Sequence, residues 1–216
     1  MKLIGTIFFS LLLGWACTAK AAEPKPLYES NFEKAELDKV PADLLVLDGG
    51  FEVKADAGNK FIELPGAPLG EGSGLLFGPT EKDGVAVTAR IHATGKGRRF
   101  PTFAVGLNGA GGFRLQVSPA KKLLEIFKGD EVVASAPFTW ESDSWTLLRL
   151  QARKINDGEW KIEGKAWKQG GAEPKEWLVT FTANAETPAG RASIWGSPVS
   201  GTPIRFDDLA VTKVEK

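Results

Sequence analysis

The feature that most constrains this chain is a rhythm of short apolar stretches, each closed by Gly, Pro, Asn or Asp. The first are LYESNF (27–32), LLVLD (44–48), FEVKA (51–55), KFIELP (60–65) and SGLLFG (73–78). VAVTARIHA (85–93), TFAVGLN (102–108), FRLQVS (113–118), LLEIFKG (123–129) and EVVASAPF (131–138) follow. WTLLRLQARKI (145–155), WKIEGKAWK (160–168), EWLVTFTA (176–183), RASIWG (191–196) and IRFDDLAVTKV (204–214) complete the series. Many alternate apolar with polar residues, the period of a half-buried strand. No segment holds a 3.6-residue period over three turns; the nearest, EKAELDKVPADLL, is cut by Pro41. Even spacing without a helical period predicts an all-β fold, a jelly-roll β-sandwich of two antiparallel sheets. With no repeat, low-complexity tract or linker, residues 22–216 read as one domain.

Residues 1–21 read as a segment outside that fold. Lys2 precedes the apolar run LIGTIFFSLLLGWA, and Ala19-Lys20-Ala21 is a small-x-small cleavage signal. This is the pattern of a secretory signal peptide, too short for a membrane span, and predicts an exported, periplasmic or extracellular protein. The alternative is a lipidated Cys17. Lipidation favours a Leu three residues before the Cys, and here Gly14 and Trp15 hold the approach.

Beyond residue 21 the chain has 27 acidic and 25 basic residues, and no cysteine. A disulfide framework and a thiol nucleophile are thereby excluded. Near-neutral charge argues against nucleic acid as a partner, which calls for a basic footprint. With His92 as the single histidine, the usual His/Cys zinc site cannot be built.

Alternation also sorts side chains by face. Val85, Val87, Ala89 and Ile91 point one way, leaving Thr88, Arg90 and His92 opposite. Phe113, Leu115 and Val117 leave Arg114 and Gln116 outward; Leu148 and Leu150 leave Arg149 and Gln151; Ile162 and Ala166 leave Glu163 and Trp167. Arg90, His92, Arg114, Gln116, Arg149 and Gln151 are therefore expected on one polar, concave sheet face. Their planar donors suit sugar hydroxyls or a carboxylate. Trp167 and Trp195, opposite in parity to the apolar residues of their strands, are candidates for a stacking wall. Trp140, Trp145 and Trp177 are expected to pack in the core or at strand edges.

In PIRFDDLAV (203–211) the alternation changes parity at Asp207 and Asp208. An inserted residue does this, so the pair predicts a structural β-bulge whose carboxylates accept from unpaired N–H groups. The competing reading, calcium, needs six to eight oxygens, more than one acidic pair supplies. No cofactor or metal is expected.

The two ends of the chain carry a resemblance. GRASIWGSPVSGTPIRFDDLAV (190–211) resembles the closing hairpin of concanavalin A-like lectin, glucanase and laminin-G domains. YESNFE and GGFEVKADAGNKFIELPG are similar to the start of secreted bacterial 3-keto-disaccharide hydrolase domains of that superfamily. The resemblance implies the same sandwich and a carbohydrate ligand. It carries over no catalytic residue. WESDSW (140–145) has Glu141 and Asp143 but Trp145 where the glucanase Glu-x-Asp-x-Glu strand has its third acid. GLNGAGGFRL (106–115) has Asn108 and Arg114 without the hydrolases' serine. An exported carbohydrate-binding domain is the expected function. A glycoside hydrolase on a keto-disaccharide and a structural or adhesion module of the cell envelope are the alternatives.

Overall fold

A computed structural model describes residues 26–66, 72–82 and 84–214. Residues 1–21, read above as a signal peptide, lie outside the described residues together with the lipidation alternative at Cys17. Each of the fifteen alternating stretches contains a strand. In chain order they are β1 (Tyr28–Ser30), β2 (Leu45–Asp48), β3 (Glu52–Asp56), β4 (Asn59–Leu64) and β5 (Ser73–Glu81). Then come β6 (Val85–Ala93), β7 (Thr102–Leu107), β8 (Phe113–Ser118), β9 (Leu123–Lys128) and β10 (Glu131–Pro137). The last five are β11 (Ser144–Asn156), β12 (Glu159–Lys168), β13 (Val179–Ala183), β14 (Gly190–Ser197) and β15 (Ile204–Lys213). Among the described residues no helix is long and apolar enough to cross a membrane.

The strands form two antiparallel sheets packed face to face. An eight-stranded sheet runs β13-β12-β11-β6-β15-β4-β3, with β1 also on β15. A seven-stranded sheet runs β10-β9-β8-β7-β14-β5-β2. Their inner faces meet in one apolar core. Val87, Ile91, Leu148, Leu150 and Ile162 supply one wall, and Phe77, Val105, Leu115, Ile126 and Ile194 the other. The parity read from the sequence is the parity of this core, so polar partners on alternate positions face outward.

The acidic pair marks a change of neighbour. Ile204–Phe206 of β15 pair with β4, while Leu209–Val211 pair with β1 along the same edge. On the other edge the register against β6 slips between Asp207 and Ala210. Asp208 stands at φ 48°, and its N–H donates to Asp207 Oδ1 at 2.7 Å. A bulge here lets one strand serve two partners in turn without losing the core positions of Phe206 and Leu209.

Candidate functional site

The six side chains expected on one face lie on two. Arg90 and His92 on β6, Arg149 and Gln151 on β11, and Trp167 on β12 belong to the eight-stranded sheet. Arg114 and Gln116 on β8 and Trp195 on β14 belong to the seven-stranded sheet, on the opposite side of the sandwich. Alternation tells outward from inward, but two sheets sharing one core have outward faces pointing apart. The single polar face is thus corrected to two, and they differ in chemistry.

On the eight-stranded sheet the polar residues satisfy one another. Arg90 Nη2 donates to Asp207 Oδ2 at 2.5 Å and to Asn59 Oδ1 at 3.1 Å. Its Nε lies 3.0 Å from Asp208 Oδ2, an ion pair without hydrogen-bond alignment. Asn59 Nδ2 completes the triangle on Asp207 at 2.8 Å. Burial pushes the Asp207 carboxyl up, with Asp208 adding to the push, against the pull of Asn59, the Asp208 N–H and Arg90. The Arg90 guanidinium also covers Trp145 at 4.4 Å, and the His92 ring lies 5.3 Å from the same indole. Burial lowers His92, and the Asp143 carboxylate 3.3 Å away only partly offsets it.

The rest of this face is closed in the same way. Gln151 and Arg153 both donate to Glu163 Oε2, at 2.6 and 2.9 Å. Burial would raise the Glu163 carboxyl, but these donors and Lys161 outweigh it and hold it below the ordinary range. Arg149 and Lys165 share Glu173 at 3.5 and 2.8 Å, and Lys165 also lies over Trp177. Arg205 pairs with Glu63 and Asp56 above the Phe61 ring. Trp167, opposite Leu147, has no ring contact or side-chain hydrogen bond among the described residues.

The seven-stranded sheet is open. Trp195 lies between Ala104 on β7 and Gly74 on β5. A Cβ at Gly74 would run into the indole's six-membered ring, and one at Gly106 would strike Ser193 Oγ. Small residues on neighbouring strands thus let a large ring lie against the sheet. Trp195 Nε1 donates to Ser193 Oγ at 2.8 Å, which fixes the ring's rotation. One face of the indole is on the sheet and the side chain remains partly exposed.

Arg114 stands beside this ring, its guanidinium 5.5 Å from the Trp195 centroid and 4.9 Å from that of Phe127. Burial lowers its pKa, with only a longer-range opposing field from Asp130. Gln116 Nε2 donates to Ser118 Oγ, which in turn donates to the buried Glu125. Arg114, Gln116, Trp195, Thr102 and Ser197 line a depression of about 120 Å³. A flat aromatic surface with a guanidinium, an amide and two hydroxyls at its rim can stack an apolar ring face and bond its edge.

Several participants were not foreseen from sequence. Trp145, read as packing, lies on the outer face of the eight-stranded sheet opposite His92. Gly74, Gly106 and Ser193 were not singled out, because only their cross-strand register brings them beneath or beside Trp195. Glu141 and Asp143 stand in the turn before β11; Glu141 pairs with Lys168 and Asp143 with His92. Asn108 donates to the Lys82 and Pro188 carbonyls, tying two loops together. A larger cavity, about 740 Å³, lies elsewhere, beside β1, and is lined by Glu29, Asn31, Lys34, Asp43 and Asp208 among others. Its one aromatic residue, Phe32, is a core side chain and offers no stacking surface. Among the described residues no cluster of three or more His, Cys, Asp or Glu could hold a metal ion.

No family model and no curated protein matches this sequence. Solved structures do match in shape. A carbohydrate-binding module, CBM66 from Bacillus subtilis, superposes with a TM-score of 0.57 at 12% identity, covering 79% of this chain and 96% of that one. The fold is concanavalin A-like. The carbohydrate recognition domain of Emp46p in its metal-free form aligns with a TM-score of 0.57 at 12% identity, over 90% of this chain and 100% of its own. The catalytic domain of a family 131 glycoside hydrolase from Coprinopsis cinerea gives 0.54 at 9% identity, over 89% and 96%. Likeness at such identity is a likeness of fold, a fold that serves binding modules and hydrolases alike.

Proposed function

We propose that this protein is an exported carbohydrate-binding domain that engages sugar on the outer face of the seven-stranded sheet. One observation carries the reading: the Trp195 indole is laid against the sheet over Gly74 and locked by Ser193. Pyranose rings present C–H faces that stack on such a surface, while Arg114 and Gln116 bond the hydroxyls at the rim. Two of the structural neighbours are a carbohydrate-binding module and a carbohydrate recognition domain, which supports the same reading. The segment LIGTIFFSLLLGWA followed by Ala19-Lys20-Ala21 supports export. A depression of about 120 Å³ is below the usual range for an enclosing pocket, so the sugar lies on the face rather than inside it.

A glycan array probed with the protein and with Trp195→Ala tests this. Binding that the substitution removes, with the melting temperature nearly unchanged, is the expected result. Binding that persists in Trp195→Ala refutes the site, and no glycan bound by either protein favours a structural or adhesion role.

The hydrolase reading has one observation in its favour. The cavity beside β1 gathers Glu29, Asp43 and the half-exposed Asp208. Glycoside hydrolysis uses two carboxyl groups, but here Asp43 already accepts from the Tyr28 hydroxyl at 2.7 Å and Asp208 faces Arg90. Turnover of oxidised or ordinary disaccharides that Asp208→Asn abolishes would establish it over binding.

A further inference from the structure

Six arginines stand on the described strands: Arg90, Arg114, Arg149, Arg153, Arg191 and Arg205. Five have oxygen partners. Arg90, Arg149, Arg153 and Arg205 pair with carboxylates, and Arg191 donates to the Gly78 and Asp43 carbonyls. Arg114 has none: it enters no ion pair or side-chain hydrogen bond among the described residues, and its Nε, like those of Arg90 and Arg149, is buried without an acceptor. A part-buried guanidinium with no oxygen partner at all leaves its lost hydration uncompensated, which is costly. Among the described residues its guanidinium lies against the rings of Phe127 and Trp195.

From this unpaired guanidinium at the edge of the Trp195 shelf, we infer that the ligand is an acidic sugar whose carboxylate docks on Arg114. The inference rests on the sugar-binding reading of that shelf and adds the chemical class of its ligand. A guanidinium held between two rings has already lost part of its water, so an arriving anion displaces little more. Its planar fork matches a carboxylate through two parallel N–H···O bonds. A uronic acid carries that group at the rim of the ring, where a sugar stacked on Trp195 places it within reach of Arg114. Gln116 Oε1, on which no donor is directed among the described residues, is left to accept from a ring hydroxyl. Burial lowering the Arg114 pKa agrees with this placement and does not discharge the group.

The test is calorimetric titration of the protein with oligosaccharides of glucuronate, galacturonate and mannuronate, each beside its carboxyl-reduced counterpart. At least one acidic form is expected to bind tenfold or more tightly than its neutral partner, and raising the salt concentration should narrow the gap. In Arg114→Gln the acid-to-neutral ratio should fall toward one. Arg114→Lys, which keeps the charge without the fork, should restore only part of it. Equal binding of every pair, no binding of any acidic form, or an unchanged ratio in Arg114→Gln overturns the inference. Neutral sugars bound through Trp195 without acid preference would sink the acidic ligand while leaving the shelf standing. Binding indifferent to Trp195→Ala would sink the shelf itself.

Discussion

The outer faces of the two sheets carry similar residue types and put them to different uses. On the eight-stranded sheet nearly every charged side chain has found an opposite charge: Arg90 with Asp207, Arg153 with Glu163, Arg205 with Glu63. On the seven-stranded sheet Glu125 is satisfied by Ser118 and Lys121, but Arg114 has no oxygen partner among the described residues and Trp195 is partly bare. A paired face stabilises the fold; an unpaired one is available to a ligand. The difference lies in the partners, since Arg, Gln and Trp occur on both.

If that contrast holds, substitutions on the first face should strike stability and those on the second should strike binding. Asp207→Ala should have the largest effect, about 3 kcal/mol of lost stability by urea unfolding, because Arg90 would lose its buried counter-charge and the bulge an acceptor. Asp207→Asn should cost less, since an amide oxygen still accepts. Stability unchanged by Asp207→Ala would break the account of the paired face. Trp195→Ala should weaken glycan binding by roughly tenfold to a hundredfold while moving the melting temperature little, the loss expected for a stacking ring. Gly74→Ala makes a subtler probe of the same shelf. Its methyl would displace the indole, so binding should fall severalfold without loss of any ligand-contacting group.

The pH response should also belong to the paired face. His92 is lowered by burial, so between its folded pKa and 6.5 the unfolded chain binds more of the proton than the folded one. Its contribution to stability is complete above pH 6.5 and is lost as the pH falls from there through the folded pKa. The urea midpoint should therefore decline from pH 7.5 to pH 5.5, and less so in His92→Gln. An equal decline in both proteins would remove His92 from the account. The smallest effect is expected of Trp167→Ala. Glycan binding should not change, because Trp167 lies on the eight-stranded sheet.

Much of the fold was legible because one property, alternation, encodes both strand and face. β6 and β8 begin and end where the pattern does, and the parity slip at Asp207–Asp208 coincides with the register slip against β6. β13 begins at Val179 rather than at 176, where Trp177 instead packs over Lys165 from the preceding loop. The proposed site was only half legible. Outward parity correctly set Arg114, Gln116 and Trp195 apart from the core, yet it equally admitted Arg90, His92, Arg149 and Gln151. Which sheet a strand joins is fixed by long-range pairing, such as β6 with β11 and β15, and local periodicity holds no record of that. Nor does it record charge partners. Glu163 reaches Gln151 and Arg153 across a hairpin, whereas Asp207 reaches Arg90 from the far end of the chain. The glycine under Trp195 is 121 residues away in sequence and adjacent only in the sheet.

The most direct test follows the tryptophan indole N–H signals by nuclear magnetic resonance. The protein is titrated with the oligosaccharide that binds it best on the array. The Trp195 signal should shift progressively with ligand while those of Trp145 and Trp167 stay in place. Movement of Trp145 or Trp167 with Trp195 unmoved would put the ligand on the paired face and contradict the account.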